Sequence, residues 1–115
     1  MIRIIVAAMF ACCFNFSVFA ASCPNALPTN DANFCPSFKT AAICYCTASG
    51  LPSGVCQDMN VLYTRLIAYF GSIQKACEYQ HYTSTQDCID NWNCYLYGGV
   101  DSRGRLCSST KRACQ

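Results

Sequence analysis

The clearest pattern of apolar and polar positions lies in the middle of the chain, between residues 58 and 79. Apolar side chains recur there at spacings of three and four, which places them on one face of an α-helix. They are Met59, Leu62, Leu66, Ile67, Phe70, Ile73 and Cys77. Asp58 is a good N-cap for this run. The pattern predicts one helix over residues 58–79, in which Gly71 is a weak point worth about 1 kcal/mol relative to Ala.

A second, shorter helix is predicted after the polar connection at residues 80–83. Ser84 and Asp87 have the spacing of a capping box, with Asp in place of Glu. Cys88, Trp92 and Tyr95 follow at helical spacing, and the glycines at 98 and 99 form a stop signal. Two helices joined by so short a loop pack antiparallel. The sequence therefore predicts a helical hairpin.

The hairpin predicts one disulfide bond. Cys77 lies at the end of the long apolar face, and Cys88 lies in the first turn of the second helix. Antiparallel packing brings those two ends together, within the Cα separation of about 7 Å that a bridge requires. We expect Cys77 and Cys88 to be bonded to each other.

Residues 22–54 are rich in turn-forming residues and predict loops. Residues 40–48 are the exception: if extended, they place Ile43, Tyr45 and Thr47 on one face, and a short helix over 36–43 is the alternative. In either conformation Cys44 and Cys46 must reach two separate partners. Residues 100–115 are polar and predict an irregular tail tied back by its cysteines.

The N-terminus has the three-part form of a secretory signal peptide. Arg3 supplies the positive charge, residues 4–14 are an unbroken apolar run, and small residues follow at 20–22. The run is too short for a confident membrane span, which needs about 20 apolar residues. We expect cleavage after Ala20, leaving residues 21–115 as a single domain in an extracellular or periplasmic space.

A lipoprotein is the alternative interpretation of the same segment, with Cys23 lipidated. Cysteine parity argues against it. The chain has twelve cysteines, and removal of Cys12 and Cys13 with the signal peptide leaves an even ten. Lipidation of Cys23 would leave nine and strand one thiol in an oxidising compartment.

The ten remaining cysteines predict a disulfide scaffold in which all are oxidised. A chain of this size buries only about 60–65% of its unfolded surface and is marginally stable without cross-links. The ten are Cys23, Cys35, Cys44, Cys46, Cys56, Cys77, Cys88, Cys94, Cys107 and Cys114. The predicted fold is small, disulfide-rich and mainly α: an antiparallel helical hairpin with cross-linked irregular N-terminal and C-terminal segments.

The charge balance excludes strongly basic classes of protein. Removal of Arg3 from the eight basic and six acidic residues of the chain leaves a net charge of +1. This favours neither a nucleic-acid partner nor a membrane surface. The basic residues cluster in the tail, where Arg103 and Arg105 are candidates for contact with an acidic partner or, in a bridged loop, with a trypsin-like protease.

No set of residues predicts catalysis, a metal site or a cofactor. His81 is the one histidine, and no orienting group or nucleophile accompanies it in the sequence. C-x-x-C pairs, typical of zinc and redox sites, do not occur. Cys44-Tyr45-Cys46 is a C-x-C motif, and with eight other cysteines present two structural bridges are the favoured interpretation over thiol exchange.

The aromatic residues are the remaining functional signal. Seven tyrosines and one tryptophan accompany few charges, and Tyr and Trp commonly anchor binding faces, although they also fill small cores. Tyr69, Tyr79 and Tyr82 are the candidate binding residues. We expect a secreted, non-enzymatic interaction or structural module that binds another protein, with a secreted effector such as a toxin, protease inhibitor or antimicrobial as the alternative.

Overall fold

The structure is a computed structural model that describes residues 23–115. The predicted signal peptide, its cleavage site and most of the lipoprotein motif lie outside these residues. The described part forms five α-helices and a short 3-10 segment. They are α1 (Phe34–Ala48), α2 (Ser53–Cys56), α3 (Met59–Phe70), α4 (Ile73–Tyr79), α5 (Thr85–Tyr97) and the 3-10 segment Cys107–Ser109. The fold is mainly helical and cross-linked by five disulfide bonds, as the sequence predicts.

Helix α1 corrects the prediction of loops in the N-terminal third. It runs for 15 residues and buries Phe34, Phe38 and Ala41, which recur at helical spacing. Pro36 lies in its first turn, where the missing N–H has no helical partner to lose. The turn-forming residues lie around this helix, and the apolar spacing within it is the signal that predicts its conformation.

Residues 40–48 are not extended, and the alternative of a helix over 36–43 is confirmed as part of α1. The expectation that Cys44 and Cys46 reach separate partners, which held for either conformation, is also confirmed. Cys44 and Cys46 lie two residues apart on a helix, so their side chains diverge by about 200°. Cys44 bonds to Cys23, and Cys46 bonds to Cys56. The C-x-C motif therefore ties α1 to the N-terminal segment on one side and to α2 on the other.

The predicted helix over residues 58–79 is two helices, α3 and α4. Asp58 caps α3 as predicted, because its carboxylate accepts from the N–H groups of Asn60 and Val61. The break lies at Gly71, whose φ of 95° is left-handed and ends α3. Ser72 then caps α4 by accepting from the N–H of Lys75. A left-handed glycine followed by a capping serine stops one helix and starts the next.

Helices α4 and α5 form the predicted hairpin. The Ser84 hydroxyl accepts from the N–H of Asp87 at the start of α5, and Gly98 follows its last residue. The connection is closed by the disulfide between Cys77 and Cys88, whose Cα atoms are 5.5 Å apart. This confirms the predicted pairing.

The core lies between α1, α3 and α5 and is built on aromatic contacts. The ring of Phe38 lies 5.6 Å from that of Phe34, and it meets Trp92 edge-on at 5.0 Å. Tyr95 is tilted against Phe38 at 5.6 Å. Met59 and Leu62 of α3 complete this buried cluster.

The tail is irregular, as predicted, and two disulfides tie it to the helices. Cys107 bonds to Cys94 of α5, and Cys114 bonds to Cys35 of α1. Between them the tail crosses the end of α5 so closely that the Gly98 position has no room for a side chain. The tail is therefore part of the packed domain.

A buried carboxylate organises the start of the tail. Asp101 accepts hydrogen bonds from the Thr29 hydroxyl at 2.7 Å and from Arg105 Nε at 2.8 Å. The backbone N–H groups of Arg103 and Arg105 also donate to it, each at 2.9 Å. Burial by itself would raise the pKa of Asp101. The hydrogen bonds from Thr29, Arg105 and Arg103 outweigh burial and lower that pKa to about 2.

Candidate functional site

A groove of about 730 Å³ opens between α1, α3, α4 and the first turns of α5. Its floor comes from the core face of these helices, including Phe38, Leu62 and Trp92. Most of its remaining wall is aliphatic or aromatic. The volume lies within the range of about 300–1,000 Å³ that small-molecule sites occupy.

The structure brings the three predicted binding tyrosines together at the rim of this groove. Tyr69 lies in the last turn of α3, Tyr79 ends α4, and Tyr82 follows in the connection to α5. Tyr69 is 80% exposed and Tyr79 is 71% exposed. Phe70 lies between them, with its ring 4.8 Å from Tyr69 and 5.1 Å from Tyr79. The three tyrosines therefore place exposed aromatic rings at the rim of an apolar groove.

Tyr82 is held by a side chain that the sequence analysis did not single out. Gln80 accepts hydrogen bonds from the N–H groups of Tyr82 and Thr83, at 2.9 and 3.2 Å. Its amide nitrogen donates to the carbonyl oxygens of Cys77 and Thr83, both at 2.9 Å. One amide therefore fixes the whole connection. A glutamine at the end of a helix, followed by a short loop, is the only signal of this role in the sequence.

Arg65 is the one charged residue among those that line the groove. It lies on α3, three residues after Leu62 on the floor and four before Tyr69 on the rim, and so shares their face of the helix. Arg65 is exposed and forms no ion pair within residues 23–115. The sequence analysis missed it, although its i,i+4 spacing to Tyr69 is the signal that could have found it.

Arg103 and Arg105 do not join this site. Arg103 forms an ion pair with Asp87 at 3.2 Å, and Arg105 is bound to the buried carboxylate of Asp101. Neither lines the groove. The structure thus brings the predicted tyrosines together and separates them from the predicted arginines. Arg103 ties the tail to α5, and Arg105 binds a carboxylate within the tail.

The remaining chemistry-bearing residues lie outside the groove or are cross-linked. His81 is exposed in the connection before α5. Within the described range no three His, Cys, Asp or Glu side chains are grouped as a metal would require. All ten cysteines from Cys23 to Cys114 are paired, so the C-x-C motif carries two structural bridges.

Two further findings bear on the site. None of the helices within residues 23–115 has both the length and the apolar character to cross a membrane. No protein family, curated protein or solved structure matches this chain.

Proposed function

We propose that this chain is a secreted, non-enzymatic binding module and that the groove takes up a small apolar molecule. One observation carries the proposal: an apolar groove of about 730 Å³ has three exposed tyrosines at its rim. Exposed apolar surface is costly in water, and a concentration of it at a concave site is typical of binding sites.

The disulfide bonds support a preformed site. Cys46 and Cys88 both line the groove, and their bridges to Cys56 and Cys77 fix α1 against α2 and α4 against α5. A wall that is rigid before binding loses little conformational entropy when a ligand enters. The same bridges favour an oxidising compartment, in agreement with the proposed signal peptide.

The shape of the site favours a small molecule over the protein partner expected from the sequence. A flat protein surface would engage the exposed tyrosines but leave the concave floor at Leu62 and Trp92 uncovered. A molecule that enters the groove covers both. Arg103 and Arg105 are paired with Asp87 and Asp101, and this pairing does not support a protease-inhibitor loop that presents either arginine.

A neutral fluorescent probe tests this proposal. N-phenyl-1-naphthylamine emits strongly only in apolar surroundings, and Trp92 on the floor is the one tryptophan of the chain. We expect saturable binding to the oxidised protein, with energy transfer from Trp92 to the probe. Tyr69→Ala combined with Tyr79→Ala should weaken binding about tenfold, since burying an aromatic side chain is worth about 1.5–3 kcal/mol and these two are only partly covered.

Tyr97→Ala is the matched control, because Tyr97 is 69% exposed and does not line the groove. It should bind the probe as the unaltered protein does. If the probe shows no saturable binding, or if all three proteins bind it equally, the groove is not a binding site and the proposal fails.

A further inference from the structure

We infer that the ligand of the groove is an anionic single-chain amphiphile, with its acyl chain on the apolar floor and its head group at the Arg65 guanidinium. This inference rests on the proposed function and names the chemistry of its ligand. The head group is a carboxylate or a phosphate monoester, since a guanidinium binds both through paired N–H donors.

The residues that line the groove carry positive charge only. Arg65 is its one charged lining residue, and no carboxylate lines it. Neither Glu78 nor Asp87 lines the groove. Asp87 is paired with Arg103, and Glu78 is exposed to solvent, where it accepts a hydrogen bond from Gln74. A negative head group therefore gains at Arg65 with no carboxylate in the wall to repel it, whereas a cationic head group is repelled by Arg65 and has only the aromatic rings of the rim to attract it.

The position of Arg65 suits a head group and not a buried counter-ion. On its helix Arg65 lies between Leu62, which is buried, and Tyr69, which is largely exposed. A charged head group beside the Arg65 guanidinium remains partly in water, while the acyl chain attached to it extends toward the groove floor. Full burial of the charge, which is costly, is avoided.

The polar groups of the wall favour an acyl chain over a peptide. The side-chain amide of Gln80 is fully used by the loop that it holds. The Ser49 hydroxyl donates to the carbonyl of Cys46 at 2.6 Å. Besides the tyrosines, the other uncharged polar side chains of the wall are Asn25, Thr83 and Asn91. They are too few to pair with every N–H and C=O group of a peptide backbone, and unpaired amides are expensive to bury. A hydrocarbon chain has no such requirement.

Displacement of N-phenyl-1-naphthylamine by twelve-carbon amphiphiles tests the inference. We would use dodecanoate, dodecyl phosphate, dodecanol and dodecyltrimethylammonium, each below its micelle concentration, at pH 8. In the unaltered protein the two anions should displace the probe at concentrations about three- to tenfold lower than dodecanol, as a partly exposed charge pair allows. The ratio between dodecanoate and dodecyl phosphate decides which head group the site prefers. Decanoate should bind more weakly than dodecanoate by about fourfold per methylene removed.

Arg65→Gln should abolish the preference for anions while leaving the affinity for the neutral probe unchanged, which shows that the groove is still folded. Arg65→Lys should keep most of the preference. Arg112→Gln is the matched control, because Arg112 is also exposed and does not line the groove. Its preference should equal that of the unaltered protein.

The inference is overturned if dodecanol displaces the probe as well as dodecanoate does, or if Arg65→Gln retains the anion preference. Those results leave the proposed function intact, because the probe still binds. Absence of probe binding in the unaltered protein, in contrast, removes the proposed function itself. The two failures are therefore distinguishable in one titration series.

Discussion

The ring of Tyr82 stacks on the ring of Tyr45, with their centroids 3.8 Å apart and their planes inclined by 21°. This contact joins the connection before α5 to the last turn of α1, across one end of the groove. Tyr45 is itself fixed by its neighbours in the C-x-C motif, each of which is cross-linked. The stack thus couples a loop to the most heavily bridged helix of the domain.

Loss of this stack should weaken both the fold and the site. Tyr82→Ala removes an aromatic pair worth about 0.5–1.5 kcal/mol beyond its buried area. We expect a loss of about 1 kcal/mol in the free energy of unfolding by urea and weaker binding of N-phenyl-1-naphthylamine. Tyr97→Ala removes no stacked ring and only the side-chain contact with Tyr63, so it should cost less in the free energy of unfolding than Tyr82→Ala and leave probe binding unchanged. Equal effects of the two substitutions would show that the Tyr45–Tyr82 stack contributes nothing specific.

The disulfide between Cys35 and Cys114 should contribute most to stability, because it spans 79 residues of sequence. In the chain-entropy model a loop of that length is worth about 4–5 kcal/mol, against about 2–3 kcal/mol for the 11-residue separation of Cys77 and Cys88. We expect Cys35→Ala with Cys114→Ala to lower the urea midpoint further than Cys77→Ala with Cys88→Ala. The reverse order would mean that native contacts of the tail, and not loop closure, set its contribution.

Gly98 is expected to be the least replaceable glycine. A Cβ there would lie 2.6 Å from the Ala113 nitrogen and 2.7 Å from the Arg112 carbonyl carbon, and closer still to the Lys111 oxygen. Gly99 also has a positive φ, but a Cβ at that position meets nothing within 4 Å. Gly99→Ala should therefore cost only the left-handed strain, about 1–2 kcal/mol. Gly98→Ala should cost several kcal/mol more, because the tail must move away from α5. Similar unfolding midpoints for the two variants would contradict this packing.

The Asp101 carboxylate should make stability fall in acid. Its pKa is about 2 in the folded protein and 3.8 in its reference state. A lowered pKa stabilises the fold above about pH 4, and the contribution is lost as the pH falls through 2. A shift of this size corresponds to about 2 kcal/mol. We expect Asp101→Asn to be less stable than the unaltered protein by at least that amount at pH 6, with the difference shrinking between pH 4 and pH 2 in urea titrations. A difference that is constant with pH would show that the ionisation of Asp101 is not the cause.

Processing should produce a mature chain that begins at Ala21. The bond between Cys23 and Cys44 gives this expectation support beyond cysteine parity, since a lipidated Cys23 has no thiol to contribute. Intact mass analysis of the exported protein should match residues 21–115 with five disulfides. Alkylation without reductant should add no label. A diacyl adduct on Cys23, or a chain that retains Met1, would contradict the proposed export route.

The candidate site was predicted in part. The exposed tyrosines could be named from their number and their position beside the apolar stripe. Their position together on one rim could not be predicted, because it depends on the angle between α3 and α4 at Gly71. Arg65 could not be named from the sequence, because the groove that it lines exists only where α1 lies beside that face of α3.

The sequence by itself determined the local features of this protein. Helix caps and helical periodicity depend on residues only a few positions apart. Asp58, Ser84 and the Cys77–Cys88 hairpin could therefore be predicted without a structure. Only the tertiary structure decided the four other disulfide pairings and the burial of the Asp101 carboxylate. These depend on contacts between residues far apart in the chain, such as Cys35 with Cys114 and Thr29 with Asp101. Ten cysteines allow many pairings of similar local cost, and burial of the shared core around Phe38 selects among them.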